Sequence, residues 1–180
     1  VIDNFKKNRQ SAEHGINPGV PGKIIALLPG SRKQEILKKL PIMLALSSLF
    51  PGYQFVVAQA PGQEDAFYES LLNDYKNVSS VKNDTYNLLS GADAALVTSG
   101  TATLETALFG VPEVVCYKGS PVSYWIAKRL IKVKYICLVN LIMDREVVKE
   151  LIQDELTVEN LQKELTLLLD DPGRRAQLKK

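Results

Sequence analysis

Two short stretches carry residue types that could do chemistry on a phosphate. The first is Thr98-Ser99-Gly100-Thr101-Ala102-Thr103-Leu104-Glu105. It follows the apolar run Ala94–Val97, which reads as a buried strand, and leads into a helical pattern that stops at Gly110-Val111-Pro112. A strand that ends in small residues and opens a helix leaves the first N–H groups of that helix unpaired, at the positive end of its dipole, and such a corner suits a phosphate. Gly100 lets the backbone approach closely. Ser99, Thr101 and Thr103 add hydroxyl groups, and Ala102 adds an N–H in the first turn. Glu105, one turn further in, could accept from vicinal sugar hydroxyls. An ordinary helix N-cap with a Glu behind it is the competing reading of this stretch alone.

The second stretch is Pro29-Gly30-Ser31-Arg32, after the apolar run Ile24–Leu28 and before Glu35-Ile36. A strand, a glycine turn and an Arg at the entrance of a helix make a second anion-facing corner. The planar fork of Arg32 matches phosphate oxygens in a way a lysine does not. A strand–helix turn with a solvated Arg is the alternative. Two such corners at the carboxyl ends of two strands strengthen each other, because open α/β sheets bind ligands along that edge.

The elements that must position these corners alternate along the chain. Strands are predicted at Lys23–Leu28, Tyr53–Ala58, Val78–Val81, Ala94–Val97, Glu113–Tyr117 and Tyr135–Leu138. Helices are predicted at Arg32–Lys39, Pro41–Phe50, Gln63–Asp74, Thr85–Ser90, Thr101–Phe109, Val122–Val133, Glu146–Gln153 and Thr157–Leu169. Pro41 suits the first turn of a new helix, and Thr157 with Asn160 marks the start of the last one. This βαβα order implies a Rossmann-like parallel sheet with helices on both faces. Residues 1–22, polar and ending in Asn17-Pro18-Gly19-Val20-Pro21-Gly22, read as a linker from an amino-terminal domain; residues 23–170 read as one domain and 171–180 as a tail.

Composition narrows the function classes. A chain of 180 residues that is 46% hydrophobic suffices for one core. A formal charge of +2, with no nucleic-acid-binding signature, gives no reason to expect a nucleic-acid partner. Cys116 and Cys137 lie in apolar runs and are expected as buried free thiols in a reducing compartment. With a single His, His14, in the linker, and two Cys, no zinc site is expected, and no Asp-x-Asp cluster offers a place for magnesium. No apolar stretch approaches the ~20 residues of a membrane span.

Three ordered motifs carry a resemblance. Leu27-Leu28-Pro29-Gly30-Ser31-Arg32 with Glu35-Ile36, then Thr98 to Glu105, then Asn140-Leu141-Ile142 with Arg145 to Gln153, resemble the carboxy-terminal half of the lipid-A-disaccharide synthase family from Lys23 to Leu169. Where that family has Leu-Pro-Asn, this chain has Leu138-Val139-Asn140. The resemblance implies the carboxy-terminal domain of a two-domain GT-B glycosyltransferase, which joins UDP-2,3-diacylglucosamine to 2,3-diacylglucosamine 1-phosphate and releases UDP. It implies that Gly30, Ser31, Arg32, Ser99, Gly100, Thr101, Ala102, Thr103, Glu105 and Asn140 contact the sugar nucleotide. It also implies no cofactor, a catalytic base on the amino-terminal domain, and a cytoplasmic location in a Gram-negative bacterium.

From Val114 to Met143 the chain has five cations, Lys118, Lys128, Arg129, Lys132 and Lys134, and no acid until Asp144. Trp125, Ile126, Arg129-Leu130 and Val133 would share one helical face, with Tyr124, Lys128 and Lys132 on another. A helix covering the sheet with a solvated basic face and a helix resting on the anionic inner membrane both fit this pattern. A stand-alone sugar-nucleotide module and another UDP-sugar enzyme, such as an epimerase, remain the alternatives for the whole.

Overall fold

The computed structural model describes residues 23–119 and 134–170. The strands are β1 (Lys23–Leu28), β2 (Tyr53–Gln59), β3 (Val78–Lys82), β4 (Ala94–Thr98), β5 (Glu113–Tyr117) and β6 (Lys149–Ile152). The α-helices are α1 (Lys33–Ala45), α2 (Asp65–Leu72), α3 (Thr85–Gly91), α4 (Thr101–Leu108), α5 (Leu138–Met143) and α6 (Val158–Asp170). The strands form one sheet in the order β3-β2-β1-β4-β5-β6, and every neighbouring pair is parallel. This is the Rossmann-like strand order, whose direction reverses between β1 and β4.

Alternation along the strands builds two cores, one on each face. Ile25 and Leu27 of β1, with Phe55, Val57, Leu96 and Cys116, pack against Ile36, Leu40 and Met43 of α1 and Leu161 and Leu165 of α6. Ala26, Leu28, Val56, Ala95 and Val97 face the other way, onto Leu88 and Leu89 of α3. Near β5 the second face continues with Val115, Cys137, Val139 and Val148. Both cysteines are buried free thiols, as expected, and burial pushes each thiol up to about 12.

The structure departs from the expected elements in three places. Lys33–Ala45 is one helix with Pro41 inside it, not two helices. Pro41 removes a single N–H donor on the exposed side, while Ile36, Leu40, Met43 and Leu44 keep one continuous face in the core. Glu146–Gln153 is not helical: Lys149–Ile152 forms the edge strand β6, followed by a 3₁₀ turn at Gln153–Glu155. Val147, Val148 and Ile152 are β-branched, and pairing on the open edge of β5 buries Leu151 in the core. Tyr135–Leu138 is not a strand, because the N–H groups of Ile136 and Cys137 donate to the Glu150 carboxylate at 2.9 and 3.2 Å instead of to a neighbouring strand. Helix α5 begins there, its Asn140 N–H reaching Cys137 Sγ at 3.5 Å. The linker at 1–22 with His14, the helix at 122–133 and the tail at 171–180 lie outside the described residues.

Candidate functional site

The corner after β1 and the corner after β4 meet where the strand order reverses, since β1 and β4 are direct neighbours with Leu28 opposite Val97. Between them lies a cleft of about 260 Å³. Gly30 and Ser31 form one wall, and Thr98 to Ala102 with Glu105 form another. A third wall comes from the end of β2, where Gln59, Ala60 and Pro61 line the cleft. The N–H of Ala60 donates to the Tyr68 hydroxyl at 2.9 Å, and Gln63 Nε2 donates to the Ser31 carbonyl at 3.2 Å, tying this wall to the β1 corner.

Two glycines shape the cleft. Gly30 has φ +112°, which strains any L side chain, and a Cβ there would press on Glu35 Oε2 at 3.0 Å and Thr98 Cγ2 at 3.4 Å. Gly100 has φ +151° and ψ −162°, a region closed to L side chains even though nothing crowds it. Its extended turn delivers the chain into α4 and leaves the first N–H groups of that helix, from Thr101 and Ala102, without intrahelical partners beside the cleft.

The charges are arranged in layers. Glu35 and Glu105 line the cleft. Arg32 stands at the rim, its side chain 84% exposed, with Nη1 3.4 Å from Glu35 Oε1. Lys39 lies below the floor and is buried; its Nζ is 3.9 Å from Glu35 Oε2 and donates to Thr98 Oγ1. Burial pushes the Lys39 ammonium down from its ordinary value, and the Glu35 carboxylate opposes that. With the amino-terminal ends of α1 and α4 aimed at it, the cleft can accept an anion, while Glu105 offers an acceptor one turn away.

Of the residues expected from sequence, Gly30, Ser31, Ser99, Gly100, Thr101, Ala102 and Glu105 are brought together on the cleft, with Arg32 at its edge. Two are placed elsewhere. Thr103 is fully buried, and its hydroxyl donates back to the Gly100 carbonyl at 2.8 Å, so it is bonded within its own helix turn instead of facing a ligand. Asn140 is also fully buried. Its Nδ2 donates to the Val148 carbonyl and to Glu150 Oε1, both at 2.8 Å, and its Oδ1 accepts from the N–H groups of Val147 and Val148 at 2.7 and 3.0 Å. Its amide is fully taken up in joining α5 to β6. Ser99 does line the cleft, but its hydroxyl donates to the Ile136 carbonyl at 3.2 Å and braces that loop.

Sequence reasoning missed Lys39 and the Gln59–Pro61 wall. Lys39 had left a signal: it interrupts the apolar stripe Ile36, Leu40, Met43 and sits four residues after Glu35, where a Glu–Lys pair meets on a helix. The Gln59–Pro61 wall depends on β2 being the neighbour of β1, which the sequence does not state.

Among the described residues, no three His, Cys, Asp or Glu side chains stand together as a metal site would require, and no helix is long and apolar enough to cross a membrane. Solved structures share the fold. A spinosyn rhamnosyltransferase complexed with thymidine diphosphate matches with a TM-score of 0.64 at 17% identity, over 92% of this chain and 43% of that one. The UDP-GlcNAc 2-epimerase from Neisseria meningitidis, bound to UDP-GlcNAc, matches with a TM-score of 0.59 at 18% identity, over 98% of this chain and 43% of that one. The lipid-A-disaccharide synthase of Geobacter metallireducens is 36% identical over 177 residues, which cover 96% of this chain and 46% of that protein, so the chain spans just under half the length of that relative. Residues 2–180 match the lipid-A-disaccharide synthetase family, and with that match running nearly end to end, the chain belongs to it.

Proposed function

We propose that this chain is the UDP-sugar-binding half of an inverting glycosyltransferase, which joins UDP-2,3-diacylglucosamine to 2,3-diacylglucosamine 1-phosphate and releases UDP. One observation carries the reading: two glycine corners, each leading into a helix, converge at the strand-order reversal of a parallel sheet. Family membership supports this donor and acceptor. The thymidine diphosphate and UDP-GlcNAc of the fold neighbours support a nucleoside diphosphate as the ligand class.

In this reading the diphosphate sits between the two corners. Backbone N–H groups at Thr101 and Ala102, with the Ser31 and Thr101 hydroxyls, donate to its oxygens. Arg32 leaves Glu35 and closes over the phosphates with its fork. Glu105 accepts from the ribose hydroxyls. As the anomeric C–O bond breaks, negative charge grows on the leaving UDP, and these fixed donors stabilise it there. As the family resemblance implies, the base that takes the acceptor proton belongs to the amino-terminal half of the longer relatives. The volume of about 260 Å³ falls below the roughly 300–1,000 Å³ of a complete small-molecule pocket, as one wall of an interdomain cleft would. Contact of the basic stretch Lys118–Lys134 with an anionic membrane surface belongs to the same proposal, and sedimentation with phosphatidylglycerol vesicles tests it.

Calorimetric titration of the chain with UDP in EDTA tests the core of the reading. Saturable binding that magnesium does not alter is expected. Binding that appears only with magnesium would overturn the metal-free diphosphate site, and no binding under either condition would overturn the nucleotide reading itself. The chain alone is expected to show no transfer above a heat-killed control, because a missing general base alone removes a factor on the order of 10²–10⁴.

A further inference from the structure

The cleft poses an electrostatic problem. The two ionisable side chains that line it, Glu35 and Glu105, are both acidic, yet its shape and helix ends suit an anion. Arg32 is the cation at the rim, but it is paired with Glu35. A ligand that draws Arg32 away leaves Glu35 facing a diphosphate.

We infer that Lys39 is a positioning residue for the bound anion: its buried ammonium holds the Glu35 carboxylate and fixes the Thr98 hydroxyl as a donor into the cleft. Geometry supports both roles. Lys39 is 3% exposed and does not line the cleft, so it acts through the two groups it touches. Its Nζ is 3.9 Å from Glu35 Oε2, the oxygen not facing Arg32, so Glu35 keeps a counter-charge when Arg32 moves. An ammonium has donors and no acceptor, so in its contact with Thr98 the hydroxyl oxygen must accept. The Thr98 proton is then free to point elsewhere, and Thr98 lines the cleft. Gly30 seals the arrangement: a Cβ there would lie 3.0 Å from Glu35 Oε2 and 3.5 Å from Lys39 Nζ. Burying a lysine in this way costs stability unless it is paired, and a core-facing slot on α1 would be filled more favourably by a Leu or Met.

The inference rests on the diphosphate reading, and the experiment separates the two. UDP and inorganic pyrophosphate are titrated into the wild-type chain and into Lys39→Met, Glu35→Gln, the double variant and Thr98→Val, with a thermal melt of each. Lys39→Met is expected to weaken both ligands about 10- to 30-fold, as leaving the Glu35 carboxylate uncovered beside an anion would. In the Glu35→Gln background the same substitution is expected to cost less than about fivefold, because no carboxylate is left uncovered. Thr98→Val is expected to cost about three- to tenfold. A folded Lys39→Met that binds within threefold of wild type overturns the inference, and so does a Lys39→Met loss that is equal with Glu35 present and with Glu35→Gln. If Lys39→Met does not melt cooperatively, the double variant, which leaves no uncovered charge, decides: binding within fivefold of Glu35→Gln supports the inference, and a greater loss overturns it. Wild type that binds pyrophosphate but not UDP overturns the nucleotide reading while leaving Lys39 under test. Wild type that binds neither overturns both.

Discussion

Two polar clusters in this domain are built from similar parts and end in opposite states. At the junction of β1 and β4, Glu35, Lys39, Thr98 and Arg32 surround a cleft, and the exposed Arg32 keeps donors to spare. At the junction of α5 and β6, Asn140 and Glu150 are buried and closed on each other. Glu150 takes the N–H groups of Ile136 and Cys137, and Asn140 takes Val147 and Val148. The first leaves hydrogen-bonding capacity facing a cavity, and the second has none left over. The comparison teaches that a polar motif marks a place where the backbone needs partners or a ligand does, and that burial decides between them.

The sharpest way to break the comparison is at Asn140. Asn140→Leu keeps the volume but strands the N–H groups of Val147 and Val148 and the Val148 carbonyl, and it removes one of the two donors to Glu150 Oε1. A loss of about 3 kcal/mol or more in unfolding free energy is expected by urea titration. The folded fraction should bind UDP as wild type does. A variant of normal stability with weakened UDP binding would move Asn140 back into the site.

Arg32→Ala should do the reverse. Its side chain is exposed and its pairing with Glu35 is long, so stability should change by less than about 0.5 kcal/mol. UDP binding should weaken by about 1.5–3 kcal/mol in calorimetry, the worth of a charge-assisted hydrogen bond. Unchanged affinity would show that the rim does not reach the ligand.

Glu105→Gln is expected to be milder and selective. A carboxylate that accepts from ribose hydroxyls should cost UDP about 1 kcal/mol when neutralised and cost inorganic pyrophosphate nothing. An equal loss for both ligands would place Glu105 at the phosphates.

The smallest expected effect concerns Glu113, at the start of β5, buried with no hydrogen-bond partner among the described residues for either carboxylate oxygen. Burial pushes its carboxyl well above the ordinary value of 4.5. The folded state therefore holds a proton that the unfolded chain releases once the pH exceeds about 4.5, and stability contributed by this group falls as pH rises above that value toward the folded-state pKa. Glu113→Gln should raise the melting temperature slightly at pH 7.5 and not at pH 4, the gain being limited because the amide also lacks partners. A gain that is the same at both pH values would contradict this account.

Most of the fold is legible in the sequence. Strands β1, β2, β4 and β5 are short apolar runs that end at Gly or Pro turns, and that pattern depends only on local composition. The two glycine corners are legible for the same reason, since Gly30 and Gly100 mark backbone conformations closed to other residues. Beyond β5 the local pattern misleads. Glu146–Gln153 has a helical charge pattern, and the open edge of β5, which no local window contains, makes part of it a strand. Pro41 reads as a boundary, and a continuous buried face carries the helix through it.

The sequence by itself determined the fold class and the two loops that make the cleft, because strand, turn and helix-start signals lie within a few residues of one another. Only the tertiary structure decided which polar groups remain available. Thr103 and Asn140 looked like ligand contacts and are bound to their own backbone surroundings, while Lys39, which the sequence reading did not single out, lies under the floor. Hydrogen-bonding capacity is a property of the completed surroundings: a donor or acceptor is free for a ligand only if no partner from elsewhere in the fold has reached it first. That outcome depends on contacts between residues 59 positions apart, such as Lys39 and Thr98, and no local pattern records them.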